Sequence, residues 1–317
     1  MALFGRLIVA SMPLAPKFIV KRVAMRYVAG SEMSDAIMTM HELSAEGACF
    51  TVDVLGEEIS SMDEASYFHE EYSRLLDAIQ EHGLNANISI KPTAFGLLIN
   101  RESAYSNIES ITRKAQKLGS FVRLDMEDSR VTQETIDVML AMHSKGLTNI
   151  GVVLQGRLYR TESDIDSICS SLGDKSDFRI CKGIYLESED IAHTKYSKIV
   201  EATNAAVTSM LERGAYTAIA SHDIPVIEHA LAELRSRGMT DGESTGLEKK
   251  GPGYEFQFLL GVRGDVRRDL ASKGHLTRVY VPYGTRWYEY GIRRLRENPE
   301  VASHVVKALL MPWTNRR

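Results

Sequence analysis

Short apolar runs alternate with longer amphipathic stretches along most of the chain, and this alternation restricts the fold more than any other feature. Each run has the length of a strand and is rich in β-branched or aromatic residues. The eight runs are residues 48–55, 87–91, 121–126, 149–155, 178–182, 216–221, 254–259 and 278–281. Their starts lie 24 to 39 residues apart, which is room for a strand, a helix and two loops. The chain therefore predicts repeated β–α units.

Eight β–α units favour an α/β protein with a (β/α)8 TIM-like barrel. The stretches predicted as helices are 61–82, 103–118, 132–144, 188–213 and 223–237. A doubly wound sheet is the alternative, but it predicts a glycine fingerprint after the first strand. The sequence there is Gly56-Glu57-Glu58 instead. We therefore predict a helical arm over residues 1–46, a barrel over 47–317 that carries the site, and an extra helix over 299–310.

Composition and cysteine spacing exclude several function classes. The 317 residues carry a net charge of −4, so we expect no nucleic-acid partner. Cys49, Cys169 and Cys181 cannot all pair, and they lack the spacing of a zinc site, so we expect no disulfide framework and no metal. The chain contains no HExxH, P-loop or GxSxG motif, which argues against zinc-dependent or serine-dependent hydrolysis.

The first residues form a basic arm. Up to Ser31 the chain contains five basic residues and no acidic one. No apolar stretch there reaches the roughly 18 residues of a membrane span. Three interpretations stay open: an arm that contacts a membrane surface, a transit peptide, and a packed helix over residues 18–28.

Polar side chains stand at or near the end of every predicted strand. Such a barrel places its active site at the carboxyl ends of its strands. Any one of these side chains alone is typical of a cap or a solvated rim, but eight together predict a polar ligand. In strand order they are Asp53 with Glu57, Lys91, Asp125, Gln155, Lys182 with Tyr185, Ser221 with His222, Gln257, and Tyr280.

The cations near this rim predict the charge of the ligand. Lys91, Arg179 and Lys182 lie in or beside strands, and Arg293 and Arg294 follow the last strand. Guanidinium groups bind carboxylates and phosphates through paired hydrogen bonds, so we expect an oxyanion. The alternative for the adjacent arginines is an exposed basic helix face.

At these strand ends the sequence resembles the proline dehydrogenase family, which are flavin enzymes with a distorted (β/α)8 barrel. The resemblance follows the chain in order from about Arg26 to Leu310. It is carried by DVLGEE (53–58), SIKPT (89–93), VRLDMEDS (122–129), VVLQGRLYRT (152–161), RICKGIYLE (179–187), IASHD (219–223), YEFQFLLGVR (254–263) and RVYVPYGTRWYEYGIRRLREN (278–298). The resemblance implies FAD, oxidation of L-proline to Δ1-pyrroline-5-carboxylate, and delivery of electrons to a membrane quinone.

The resemblance also implies roles for single residues. Lys91, Arg293 and Arg294 correspond to a clamp on the substrate carboxylate, and Glu57 corresponds to the acidic partner of Arg293 in a gating ion pair. Asp125 corresponds to an acidic residue that shapes the site, and Arg179 resembles the arginine that lies near the reactive nitrogen of the flavin. The residues that correspond to substrate-packing positions are Tyr185, Leu259, Tyr280 and Tyr290. Those that correspond to FAD-binding positions are Gln155, Arg179, Lys182, Gly183, Ser221, His222, Gln257 and Glu297.

Two departures from the family pattern affect the flavin cavity. Ile184 replaces a smaller alanine, and Pro92 replaces a more usual leucine. The chain resembles the monofunctional form, without DNA-binding or aldehyde dehydrogenase modules. This implies an enzyme of the bacterial cytoplasm with peripheral contact to the inner membrane, or of the matrix side of a mitochondrial membrane. Tyr280 implies a preference for proline over hydroxyproline.

Two other classes of function remain open at this level. One is an aldolase-type barrel that forms a Schiff base on Lys91 or Lys182, since a buried lysine can lose its proton and attack a carbonyl. The other is a catalytically inactive barrel that only binds. An inactive barrel is expected to lose charges of the clamp, yet all of them are present.

Overall fold

A closed barrel of eight parallel strands forms the centre of the molecule, as a computed structural model of the chain shows. The structure describes residues 21, 25–239, 249–288 and 290–291. In chain order the strands are β1 (Cys49–Val54), β2 (Ala86–Ile90), β3 (Val122–Leu124), β4 (Ile150–Gln155), β5 (Asp177–Cys181), β6 (Tyr216–Ala220), β7 (Tyr254–Leu259) and β8 (Thr277–Tyr283). Each strand pairs with its neighbour in sequence, so the predicted (β/α)8 architecture is confirmed.

One helix precedes the first strand, one helix follows each of β1 to β7, and these helices cover the outside of the barrel. They are α1 (Met33–Ser44), α2 (Met62–Glu81), α3 (Arg101–Lys117), α4 (Thr132–Ser144), α5 (Thr161–Leu172), α6 (Tyr196–Glu212), α7 (Ile224–Ser236) and α8 (Gly264–Ser272), with short 3-10 helices at Pro92–Phe95 and Gly173–Lys175. Capping is visible locally: the Ser61 side chain accepts a hydrogen bond from the Glu64 amide at the start of α2. Asn100 caps α3 in the same way, because its side chain accepts a hydrogen bond from the Ser103 amide.

Closure of the barrel joins distant parts of the chain. β1 pairs with β8 from Cys49 opposite Arg278 to Val54 opposite Tyr283. The Ala29 amide donates to the Pro282 carbonyl, 2.9 Å away, and α1 packs against β8 and β1. The seam between the first and last strands is therefore covered by the segment that precedes the barrel.

The interior of the barrel is polar. Alternate strand residues such as Val52, Leu124 and Ile180 belong to the apolar core under the helices. The residues between them bond across the interior: Arg123 pairs with Asp177, and Arg278 pairs with Glu255. Because charged groups are buried only with partners, these pairs occupy the space that apolar side chains fill in many barrels.

Two local predictions differ from the structure. The helix predicted from residue 188 begins at Tyr196 instead, because the segment before it pairs with the loop after β4. There the Tyr159 amide donates to the Ile191 carbonyl, and the His193 amide donates to the Arg157 carbonyl. Of the helix predicted over 18–28, the end is wrong, since residues 25–27 form a turn and residue 28 a bend; residues 18–20 and 22–24 lie outside the described residues. The helix predicted over 299–310 lies outside the described residues.

Candidate active site

A cavity of about 550 Å³ opens at the carboxyl ends of the strands. Its volume is within the range of small-molecule and cofactor sites. It gathers residues from strands and loops that span the chain from Tyr27 to Tyr290. Of the site residues predicted from sequence, those that line it are Lys91, Asp125, Gln155, Arg179, Lys182, Gly183, Tyr185, Ser221, His222, Gln257, Leu259, Tyr280 and Tyr290.

The remaining predicted residues lie elsewhere. Glu57 lines a much smaller neighbouring cavity of about 20 Å³. The Tyr185 side chain lines both cavities, and its hydroxyl donates to Oε2 of Glu57 at 3.3 Å. Arg293, Arg294 and Glu297 lie outside the described residues. The arginine part of the carboxylate clamp and the gating pair with Glu57 therefore stay predictions.

Arg179 lies at the centre of a buried hydrogen-bond network. Its Nη1 donates to Oδ1 of Asp125 at 2.6 Å, its Nη2 to Oγ of Ser89 at 2.9 Å, and its Nε to Oε1 of Gln257 at 2.5 Å. Burial lowers the pKa of Arg179 from its usual value, while the charge of Asp125 opposes that shift. Four strands thus fix this guanidinium in one orientation, as a preorganised positive charge requires.

Tyr280 completes the network from β8. Its hydroxyl donates to the other carboxylate oxygen of Asp125, Oδ2, at 2.7 Å. Burial and the charge of Asp125 raise the pKa of Tyr280 well above its usual value, so the phenol keeps its proton. The Arg179 guanidinium carbon lies 5.5 Å from the centroid of the Tyr280 ring. Asp125 therefore holds two cavity-lining side chains with its two oxygens.

Lys91 forms a second buried ion pair. Its Nζ lies 2.6 Å from Oδ1 of Asp53, and Asp53 is fully buried. Burial alone lowers the pKa of Lys91, but the charges of Asp53 and Asp125 raise it above its usual value. The ammonium is therefore retained at neutral pH, which suits a carboxylate ligand. A Schiff-base lysine needs a lowered pKa, so this environment opposes the aldolase chemistry that the sequence left open for Lys91.

The β4 and β5 side of the cavity has a different character. Gln155 donates from Nε2 to the Glu127 carbonyl at 2.8 Å, and its buried Oε1 has no hydrogen-bond partner among the described residues. Gly183 adopts a φ of +93°, and a Cβ there would lie 2.5 Å from that Oε1. Only glycine fits at this position. The cavity is therefore lined here by backbone that carries no side chain and by an amide whose buried acceptor has no partner among the described residues.

Lys182 and His222 border the same side. Nζ of Lys182 lies 2.5 Å from Oδ2 of Asp223. Nε2 of His222 accepts a hydrogen bond from the Leu259 amide at 3.0 Å, so a neutral His222 ring carries its proton on Nδ1. Among the described residues no group of histidine, cysteine and carboxylate side chains is arranged to hold a metal ion.

Several residues that line the cavity, or that lie directly behind it, had no role assigned from sequence. Asp53 was noted only as a polar strand end, although its place one residue from Val52 in the strand alternation indicates an inward side chain. Asp223 directly follows His222, and nothing in the sequence shows that it pairs with Lys182. Ile184, expected from sequence to affect the flavin cavity, lines the large cavity, and the other lining residues without a prediction are Tyr27, Met126, Val153, Arg157, Cys181, Ala220, Phe258 and Val262.

Comparison with known proteins gives consistent matches over most of the chain. Residues 36–307 match the family model described as proline dehydrogenase. Proline dehydrogenase 2 of Bacillus subtilis (strain 168) is 33% identical over 284 residues, which is 90% of this chain and 89% of that protein. Proline dehydrogenase of Deinococcus radiodurans is 31% identical over 293 residues, with 91% and 90% covered.

Solved structures with a similar fold belong to longer proteins. Proline utilization A from Bdellovibrio bacteriovorus superposes with a TM-score of 0.79 at 21% identity, covering 87% of this chain and 33% of that one. Proline utilization A from Bradyrhizobium japonicum gives a TM-score of 0.72 at 19% identity, covering 92% and 33%. This chain thus spans about a third of those two chains, and the likeness concerns the barrel fold.

Proposed function

This chain belongs to the proline dehydrogenase family and is a proline-oxidising oxidoreductase, and from that premise we propose that it converts L-proline to Δ1-pyrroline-5-carboxylate with FAD as its bound cofactor. In this reaction the substrate loses two electrons and two hydrogens, one from carbon and one from nitrogen, and gains a C=N bond. The observation that carries the proposal is the joint placement of Lys91, Arg179 and Tyr280 around Asp125 in one cavity.

The residues on the β4 and β5 side fit a flavin. A flavin ring presents an N–H donor beside carbonyl acceptors, and the unpartnered Oε1 of Gln155 offers the matching acceptor. Gly183 leaves backbone exposed where a side chain would block the ring. Lys182, Ser221, His222 and Gln257 would hold the rest of the group. When bound, FAD supplies the two-electron acceptor, which the side chains of this chain cannot provide.

The opposite side of the cavity fits the substrate. The Lys91 ammonium binds the proline carboxylate, together with the predicted contributions of Arg293 and Arg294. Tyr280, Leu259 and Tyr290 pack around the apolar ring, and Tyr185 lies at the rim toward Glu57. Binding both ends of a small substrate fixes its reacting carbon, which is how positioning accelerates transfer. No strong base is needed if the amine arrives unprotonated.

Arg179 contributes electrostatics rather than proton transfer. Its guanidinium is locked by Asp125, Gln257 and Ser89, so no reorganisation is needed when negative charge develops on reduction. Because Asp125 is occupied by Arg179 and Tyr280, it acts as a structural anion for those two groups. The chain's own side chains therefore bind, orient and stabilise charge.

The test is a spectrum recorded without oxygen. We expect the purified FAD-loaded protein to lose its visible flavin absorption on addition of L-proline, and to regain it on addition of a soluble quinone analogue. D-proline, which presents the reacting hydrogen on the other face, serves as the control. FAD-loaded protein that keeps its absorption with L-proline would overturn the proposal. A colourless protein that borohydride traps with substrate would support the aldolase alternative instead.

Substrate preference gives a second expected result. Replacing Tyr280 with serine removes the ring that limits the cavity and one hydrogen bond to Asp125. We expect the ratio of kcat/KM for hydroxyproline to that for proline to rise by roughly tenfold or more, which is the range for a change in pocket size. Activity on proline itself should fall. Tyr280→Phe, which keeps the ring, is the control, and an equal ratio in both variants would contradict a steric role.

Electron delivery and location complete the proposal. The family resemblance supports a membrane quinone as the acceptor and a bacterial cytoplasmic enzyme with peripheral membrane contact. Within the described residues no helix is long and apolar enough to cross a membrane. Co-sedimentation with lipid vesicles, comparing the full chain with a chain that lacks residues 1–20, tests the basic arm. Equal binding by the two proteins would remove the arm from the proposal.

A further inference from the structure

Glu127 is a buried carboxylate that the proposed reaction does not use. It follows Asp125 by two residues in the loop after β3 and is only 4% exposed. It does not line the large cavity but borders the small neighbouring one, with Thr93 and Tyr185. A carboxylate is rarely buried unless its oxygens are well bonded, so its partners indicate what it holds in place.

One set of partners leads to Lys91. The Thr93 amide donates to Oε1 of Glu127 at 3.1 Å, and the Thr93 hydroxyl donates to Oε2. Thr93 Oγ1 also accepts from the Glu58 amide at 2.9 Å. Thr93 stands two residues after Lys91, in the 3-10 turn Pro92–Phe95 that begins directly after it. Glu127 therefore anchors, from the loop after β3, the 3-10 turn that begins directly after Lys91.

The other partner is Gln155. Its Nε2 donates to the main-chain carbonyl of Glu127 at 2.8 Å. This bond decides which end of the amide is the donor and which is the acceptor, so the buried Oε1 is left for the cavity. The same residue thus touches one group on the substrate side and one on the cofactor side. Neither contact passes through Asp125 or Arg179.

We propose that Glu127 is a positioning residue. Its carboxylate fixes the turn after Lys91 and so the position of the Lys91 ammonium, and its main-chain carbonyl fixes the orientation of the Gln155 side-chain amide. This inference rests on the proposed function, because Lys91 and Gln155 line the cavity proposed to bind proline and FAD. It makes Glu127 the link between the substrate half and the cofactor half of the site. Loss of its carboxylate changes how tightly the substrate is held rather than the chemistry itself, and the main-chain bond to Gln155 is kept.

The protonation state of Glu127 provides a readout that a purely structural role would not move. Burial raises the pKa of Glu127 to about 7, against the opposing hydrogen bonds from Thr93 and the charge of Lys91. The other titratable or charged side chains that border the small cavity are Glu57, Glu58, Asp128, Arg130 and Tyr185. The deprotonated carboxylate accepts strongly from both Thr93 donors, whereas protonation turns one oxygen into a donor and makes it a weaker acceptor. The two hydrogen bonds from Thr93 to Glu127 are therefore strongest above this pKa, and they weaken as the pH falls through it.

The experiment compares Glu127→Gln with the wild type across pH 6 to 8, where this group titrates. We expect the variant to raise the KM for proline by about tenfold, the effect of losing one hydrogen bond to a charged acceptor. At saturating proline kcat should change by less than about twofold, because the reacting groups are untouched. The wild-type rise in KM toward low pH should disappear, whereas the FAD dissociation constant, measured by flavin fluorescence, should stay close to the wild-type value, because Gln155 bonds the main-chain carbonyl that the substitution keeps.

Two further variants keep the test decisive. Thr93→Val removes one donor but leaves the Glu127 carboxyl to titrate, so the KM should rise while its pH dependence persists. If the Glu127→Gln variant does not fold, the Thr93→Val variant is used in its place. Glu71→Gln is the matched control, since Glu71 is also a buried carboxylate, bonded to Tyr283 outside the cavity. An active wild type whose KM and pH profile are unchanged in Glu127→Gln would overturn the inference alone. A wild type that fails to oxidise proline would overturn the proposed function and the inference with it.

Discussion

Replacement of Arg179 by methionine is expected to lower kcat for proline by roughly two to three orders of magnitude, the usual cost of removing a preorganised charge donor. The substitution deletes three bonds, to Asp125, Ser89 and Gln257, and leaves Asp125 buried with Tyr280. The uncompensated carboxylate then faces a site where negative charge must develop. Steady-state rates, with single-turnover bleaching of the flavin, give the measurement.

The control for Arg179 is a second buried arginine of the barrel interior. Arg123 also pairs with a carboxylate, that of Asp177, and donates from Nη1 to the Asp177 carbonyl at 3.0 Å. It does not line the large cavity. Arg123→Met should therefore reduce stability but leave the turnover of the folded fraction close to normal. Equal losses of turnover in the two variants would mean that Arg179 acts through folding rather than through its charge in the site.

The second large effect concerns stability. Arg278→Met is expected to lower the free energy of unfolding by about 3–5 kcal/mol, because it leaves the Glu255 carboxylate buried without its cation. Arg278 is 1% exposed and donates to both oxygens of Glu255, at 2.7 and 2.9 Å. It also donates to the Phe50 carbonyl at 2.8 Å. Chemical denaturation followed by circular dichroism measures the loss.

A double variant separates charge from packing. The double variant carries Arg278→Met and Glu255→Gln. It has no unpaired buried carboxylate at position 255, and its amide there still faces Tyr216 and Gln257. We expect this protein to be more stable than the single Arg278→Met variant. If the two are equally unstable, the loss arises from packing and from the carbonyl contacts of Arg278, not from the buried carboxylate.

The same ion pair predicts how stability depends on pH. Burial alone would raise the pKa of Glu255, but Arg278 and the hydrogen bonds around the carboxylate lower it to about 2, from a usual value of 4.5. A group with a depressed pKa contributes its full stability above the unfolded value and loses it as the pH falls toward the folded one. The wild type should therefore lose this contribution between about pH 4.5 and 2. The double variant lacks the group and should lose less stability across that interval.

The strands could be located from sequence because their outward residues are apolar and β-branched. Val52, Leu124 and Val279 fall in such runs, and the helices between them follow from spacing. The segment 188–195 could not be placed in the same way. Its polar composition suits the start of a helix, but its backbone bonds to the loop after β4 instead. Tertiary pairing there overrides local preference.

The sequence predicts which residues come together in the site, but not which hydrogen bonds and ion pairs they form. Lys91, Gln155 and Lys182 stand at strand ends, and a parallel barrel brings all such ends to one face. Which carboxylate pairs with each cation depends on how far each side chain lies along the barrel axis and on the strand register. A single sequence shows neither. Arg179 meets Asp125 from a strand two positions away in the barrel, and Glu127 meets Thr93 across a loop. These pairings needed three-dimensional positions.

The seam between β1 and β8 has a consequence for how the protein is made. About 220 residues separate Val54 from Thr277, so on a ribosome that adds about 5–20 residues per second the first strand waits on the order of ten seconds or more for its second partner. During that time its open edge can pair with another nascent chain, as exposed strand edges do. Yield in cells should therefore depend on chaperones that bind growing chains, and slower translation should lengthen the vulnerable interval. The ring that brings Lys91 and Tyr280 into one cavity is closed only after β8 has been synthesised.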